Sequence, residues 1–121
     1  MERVYRQITF DQQHDIFCVR LRQNRLEEQD ILVLADELLS LIHEQGCRKM
    51  ILCLGPGSLD CLYSVFMATL VMVRRNLVER GGALKLCEVS PETLEVFQAC
   101  QLKQYFDFEP DQETALAILA S

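Results

Sequence analysis

The chain has no tryptophan, three prolines and two histidines, and none of its six cysteines stands in a C-x-x-C pair. The cysteines fall at 18, 47, 53, 61, 87 and 100. That spacing, with His14 and His43 as the histidines, is wrong for structural zinc, and no metal is expected. Cations are also scarce, with 12 Lys and Arg against 18 Asp and Glu for a net charge of −6. Nucleic-acid binding needs clustered Lys and Arg, so no nucleic-acid partner is expected. Arg20, Arg22 and Arg25 form one small basic group and Arg74–Arg75 another, both read as solvated faces. The longest nearly uncharged run, Cys61 to Val73, falls well short of the roughly 20 residues that a membrane helix needs. "MERVYRQITF" is charged from its second residue, unlike a secretory signal. The expectation is a cytoplasmic protein, not associated with a membrane, whose thiols stay reduced.

What is present is ordinary globular material. Half of the 121 residues are hydrophobic and 25% are charged, enough for one domain over residues 1–121 without disulfides or metal. "VYRQITF" (Val4 to Phe10) and "IFCVRLR" (Ile16 to Arg22) alternate around "DQQHD", which predicts a β-hairpin with Phe17, Val19 and Leu21 on one face. Ile31, Leu34, Leu38 and Leu41/Ile42 recur at helical spacing over about Asp30 to Gln45, and Gly46 supplies a stop. "KMILCL" (Lys49 to Leu54) reads as a strand buried on both faces. A glycine-rich loop follows, then a helix over about Cys61 to Arg80. "ALKLCEV" (Ala83 to Val89) is the next strand, and Ser90-Pro91 opens a helix as N-cap and first residue. "QYFDF" suggests a short edge strand, and Asp111 caps a terminal helix. A leading hairpin followed by strand–helix alternation predicts an α/β fold with a mixed sheet, parallel in its centre, and about four helices packed against it.

The loop "GPGSLDCLYSVFMATL" (Gly55 to Leu70) is the place where α/β proteins often hold phosphate, yet it fits neither nucleotide pattern. A P-loop needs a lysine and a second glycine that are missing here. In a dinucleotide fingerprint the third glycine position holds Asp60, whose charge repels pyrophosphate. Cys61 lies near a helix N-terminus, which lowers a thiol's pKa, but neither His14 nor His43 is placed beside it as a base. The pairs Glu27/Glu28 and Asp36/Glu37 read as solvated faces. No catalytic constellation and no cofactor site emerges, so the chain is not expected to be an enzyme. The helix "CLYSVFMATLVMV" is apolar almost all round, the mark of burial or of a face offered to a partner.

Taken in order, these segments resemble the STAS domain of bacterial anti-sigma-factor antagonists from about Tyr5 to Leu119. "GGALKLCEVSPETLEVFQACQLKQYFDF" is similar to that family's Gly-Gly, strand, Ser-Pro-Glu helix and closing "L…yF" element. The resemblance implies the STAS fold. It also implies a role in transcription regulation and signal transduction through protein–protein contact. In the family, a serine in a D-S-S-G-L segment at the start of the helix is phosphorylated by a partner kinase that is itself the anti-sigma factor. A phosphate adds about −1.5 to −2 charges, enough to close an interface that a hydroxyl permits.

This chain departs from that pattern. Cys53 stands where the strand's aspartate is expected. Counted without a gap, Cys61 takes the helix-leading aspartate and Leu62 the phosphoacceptor. With a one-residue deletion, Asp60 keeps the acidic role and Cys61 replaces the serine, which is the preferred alignment. Ser58 and Ser64 flank the position as substitute phosphosites. The leading reading is a module that binds an anti-sigma factor, a serine-kinase-like ATPase or a related regulator through Ser58, Leu59, Asp60, Cys61, Leu62, Tyr63, Ser64 and Phe66. It is not switched at the usual serine. A second reading uses the same apolar helix for a homodimer or a larger scaffold, and a third makes Cys61 a redox-sensing thiol.

Overall fold

A computed structural model describes residues 3–121. Met1 and Glu2, on which the reading of a charged N-terminus partly rests, lie outside the described residues. The elements run β1 (Ile8–Gln13), β2 (Ile16–Leu21), β3 (Arg25–Leu26), α1 (Glu28–His43), β4 (Lys49–Cys53) and β5 (Asp60–Cys61). Then follow α2 (Tyr63–Glu79), β6 (Ala83–Cys87), α3 (Pro91–Ala99), β7 (Asp107–Glu109) and α4 (Gln112–Ala120). The main sheet has the order β1-β2-β4-β6-β7. β1 is antiparallel to β2, and the remaining neighbours are parallel. This is the mixed sheet with four helices that the alternation predicts.

Side-chain alternation in the strands divides the interior in two. Phe17, Val19, Met50, Leu52, Leu84 and Leu86 face one way, into a core shared with Leu34 and Leu38 of α1, Leu70 and Val73 of α2, and Phe97 of α3. Ile16, Cys18, Ile51, Cys53 and Cys87 face the other way and meet Ala115, Leu116 and Leu119 of α4. A strand covered on both faces has no polar side to show, which explains the unbroken apolar run of β4. Burial of such residues supplies most of the driving force, at roughly 25 cal/mol per Å² of apolar surface.

Local signals set the ends of the elements. The Ser90 and Asp111 side chains accept the Thr93 and Thr114 amides, as N-caps should. Asp111 is held below the usual carboxylate range by that bond. Gly82 lies against β4's approach, where a Cβ would come within 1.8 Å of the Arg48 carbonyl oxygen.

Some boundaries differ from expectation. β1 begins at Ile8 and includes Asp11–Gln13, and only His14 and Asp15 make the turn, with His14 at φ 59°. The segment before β1 instead runs along α1, where the buried Glu37 carboxylate accepts the Arg6 and Gln7 amides at 2.6 and 2.9 Å. β6 stops at Cys87 because Glu88 turns into the left-handed region at φ 55°. Among the described residues no helix is long and apolar enough to cross a membrane.

Candidate functional site

The loop after β4 is anchored at its root and open beyond it. Gly55 packs on Glu88 so closely that a Cβ would come within 2.6 Å of the Glu88 carbonyl oxygen, so no other residue fits there. From β2, Arg20 Nη1 and Nη2 donate to Glu88 Oε1 and Oε2 at 3.0 and 2.8 Å. Nη1 also lies 3.3 Å from the Gly55 carbonyl oxygen. These bonds hold the Glu88 carboxyl below its ordinary pKa and raise that of Arg20. The Leu54 amide donates to the Cys87 carbonyl at 2.9 Å, completing the attachment.

Past the root, the Ser58 hydroxyl donates to Glu92 Oε2 at 2.8 Å in the first turn of α3. The Glu92 carboxyl is held below its ordinary pKa by its own backbone amide and then by Ser58. The loop next forms β5, which pairs in parallel with β3: Arg25 opposite Asp60, and Leu26 opposite Cys61. The Tyr63 hydroxyl donates to the Leu59 carbonyl at 2.7 Å and stands 3.1 Å from Thr93 Oγ1. Thr93 in turn accepts from Ser90 Oγ at 3.0 Å. The starts of α2 and α3 are thereby tied together through side chains.

The eight residues singled out from the sequence divide by exposure. Ser58, Asp60, Leu62 and Ser64 are exposed, and Cys61 and Tyr63 are half-buried. Leu62 is 51% exposed at the N-cap of α2, a large apolar side chain facing solvent. Leu59 and Phe66 belong to the core at 5% and 0% exposure. This corrects their expected place on a contact surface, because a side chain packed in the core cannot touch a partner. A groove of about 320 Å³ runs beside Leu62, lined by Arg25, Leu26, Glu27, Glu28, Asp60 and Cys61.

The chemistry of the site is that of a surface. Burial and then the Asp60 charge push the Cys61 thiol up to about 11, the reverse of an activated nucleophile. His43 Nδ1 is 2.7 Å from Arg80 Nη2, and His14 sits in the β1–β2 turn. Neither serves as a base for Cys61. Three residues that sequence reasoning did not assign to the site prove central: Arg20, Glu88 and Glu92. Glu92 carries a signal in the Ser-Pro-Glu start of α3, but the Arg20–Glu88 pair joins positions far apart in the chain and leaves no local trace.

A family model described as "STAS domain" matches residues 7–115. Solved structures share the fold. An anti-sigma-factor antagonist (STAS) domain protein from Planctomyces limnophilus superposes with a TM-score of 0.81 at 22% identity, covering 94% of this chain and 98% of its own. The anti-sigma factor antagonist SpoIIAA in its unphosphorylated form, a protein also solved as the phosphorylated Bacillus cell fate determinant, gives 0.69 at 15%, covering 92% and 94%. RsbS from Moorella thermoacetica, in a form with a serine replaced by glutamate, gives 0.77 at 15%, covering 95% and 96%. No curated protein matches the chain.

Proposed function

The chain belongs to the STAS domain family, and from that premise we propose that it is a regulatory protein-binding module of the anti-sigma-factor-antagonist type. Its partner in this reading is a kinase-like anti-sigma factor or a related regulator. The contact surface is Ser58, Asp60, Cys61, Leu62, Tyr63 and Ser64, with Leu59 and Phe66 supporting it from beneath. Half-exposed Leu62, on a helix start braced by Tyr63 and Thr93, carries the proposal. A rigid apolar anchor beside polar groups is how interfaces concentrate binding energy.

The usual phosphoacceptor position holds Cys61 in the preferred alignment, so the module is read as binding without a switch there. A thiol is not a serine kinase's acceptor. The structure also speaks against Cys61 as a sensing thiol, since its proton is held more tightly than in a free cysteine. The scaffold reading keeps one observation in its favour: α2 leaves Val78 47% exposed at its far end.

The test is capture from native cell extract by the wild-type chain and by Leu62→Asp. Recovery of a kinase-like ATPase by wild type alone, equally with and without added ATP, supports the proposal. Recovery of nothing but the chain itself overturns it in favour of self-assembly.

A further inference from the structure

Two thiols meet on the sheet face that α4 covers. Cys53 ends β4, Cys87 ends β6, and the two are direct partners in the parallel register. Neighbouring strands lie about 4.8 Å apart, inside the Cα separation of roughly 4.4–6.8 Å that a disulfide spans. Both side chains are fully buried and pack in one small cluster with Cys18, Ile51 and Ala115. The Cys87 thiol donates toward Cys53 and holds the Cys53 thiol below its ordinary pKa. The Arg20 guanidinium acts in the same direction, against burial and the charge of Glu88. A cation and a second thiol at hand are the setting in which a cysteine becomes reactive. Cys61 has neither, and its pKa is raised instead. What covers the pair is slight. α4 is nine residues long and rests on this face through Ala115, Leu116 and Leu119, with Gln112 Oε1 at 3.9 Å from Cys53 Sγ. A helix this short does not hold itself in water, so it lifts by local unfolding at less cost than the whole fold.

We propose that Cys53 and Cys87 form a redox-active dithiol that reacts with hydroperoxides and closes to a disulfide when α4 lifts. Cys53 is the attacking thiol. Its sulfur bonds to one peroxide oxygen as the O–O bond breaks, and the departing oxygen takes the Cys53 proton, leaving as water when the oxidant is hydrogen peroxide. Cys53 is then a sulfenic acid. The Cys87 sulfur attacks it, the S–S bond forms, and the S–O bond breaks. The released hydroxide takes the Cys87 proton and leaves as a second water. Two thiols have lost two electrons and two protons, and the peroxide has gained both. Cys87 suits the second role because its thiol already donates toward Cys53 and is itself held well above its ordinary pKa by that contact. Cys18 is the third thiol of the cluster, but it pairs with Ile51 and so lies diagonal to Cys53. None of the residues around Leu62 takes part, so the dithiol does not rest on the binding surface proposed above.

Hydrogen peroxide added to the purified full chain in native buffer, followed by alkylation, proteolysis and mass spectrometry, tests this. The expected product is a Cys53–Cys87 disulfide, two hydrogens lighter than the dithiol. It forms while circular dichroism still reads the folded chain, and dithiothreitol reverses it. Leu116→Ala loosens α4 and is expected to speed closure roughly fivefold. Cys87→Ala is expected to strand Cys53 as a sulfenic acid that dimedone traps, whereas Cys53→Ala leaves Cys87 unoxidised. The disulfide itself is read on wild type, so the test stands even where an alanine variant folds poorly. Cys53 and Cys87 both remaining thiols in the folded chain while Cys61 or Cys100 is oxidised overturns the proposal. A disulfide from Cys53 to Cys18 overturns it as well, as does closure that needs enough urea to unfold the whole chain.

Discussion

Arg20 on β2 and Glu88 at the end of β6 meet in a two-pronged ion pair that straddles β4, with both nitrogen–oxygen distances at or under 3.0 Å. Because the same guanidinium reaches the Gly55 carbonyl, the pair pins the loop to the rim of the sheet. The side chains remain 39% and 26% exposed, so solvent screens part of the attraction. Glu88→Gln is therefore expected to cost only about 1 kcal/mol at neutral pH by urea denaturation. The folded-state pKa of Glu88 is depressed. Its contribution is present above the unfolded carboxylate value and is lost as pH falls through the lower folded value. Wild type and Glu88→Gln should thus converge in acid and separate again toward neutrality. A gap that widens in acid would contradict the assignment.

Leu62 and Phe66 lie one helical turn apart with opposite fates, and they separate binding from folding. Leu62→Asp changes an exposed N-cap and is expected to leave the melting temperature within a few degrees of wild type while abolishing partner capture. Phe66→Ala empties a fully buried site and is expected to cost about 3–5 kcal/mol. Circular dichroism melts of both variants, alongside capture, distinguish a lost surface from a lost fold. A Leu62→Asp variant that melts as early as Phe66→Ala would remove Leu62 from the proposed surface.

The division between these two residues marks where sequence reading stopped. An amphipathic helix announces its buried face by its phase, but α2 is apolar all round, so Phe66 and Leu62 look alike in sequence. The core strands are legible because β4 carries an unbroken apolar run from Met50 to Cys53 and β6 is apolar but for Lys85. The caps were legible because Ser90 and Asp111 bond amides three residues away. β3 and β5 were not, since two-residue strands that pair across more than thirty positions have no periodicity to read. The start of β1 was misplaced for a related reason. Val4 to Phe10 alternates well enough to pass for strand, and only the distant Glu37 carboxylate draws the Arg6 and Gln7 amides away from β2, although the Gln7 carbonyl still accepts the Arg22 amide.

Ser58 tests whether the loop tolerates charge. Its hydroxyl donates to Glu92 Oε2, so a negative group at Ser58 would meet a carboxylate where it now finds an acceptor. Ser58→Asp is expected to loosen the loop, read as faster amide exchange and earlier proteolysis across residues 55–60 with α3 unaffected. Glu92→Gln in the same chain should restore protection, because the amide can donate to the new carboxylate. Loosening that Glu92→Gln does not correct would mean that the hydroxyl, not the charge, matters.

The six thiols provide a graded report on the fold and a direct measure of Cys61. Cys100 is exposed, Cys61 is half-buried, and Cys18, Cys47, Cys53 and Cys87 are buried. Only the thiolate is alkylated. With its pKa pushed up to about 11 by burial and Asp60, Cys61 holds on the order of one thiolate in ten thousand molecules at neutral pH. Iodoacetamide at neutral pH, followed by mass spectrometry, should label Cys100 first and Cys61 well behind it, with the buried four reacting only as the chain unfolds. Asp60→Asn removes the neighbouring charge and should speed Cys61 alone, which a purely steric block would not do. Cys61 labelling ahead of Cys100 would reverse the conclusion and restore it as a reactive centre.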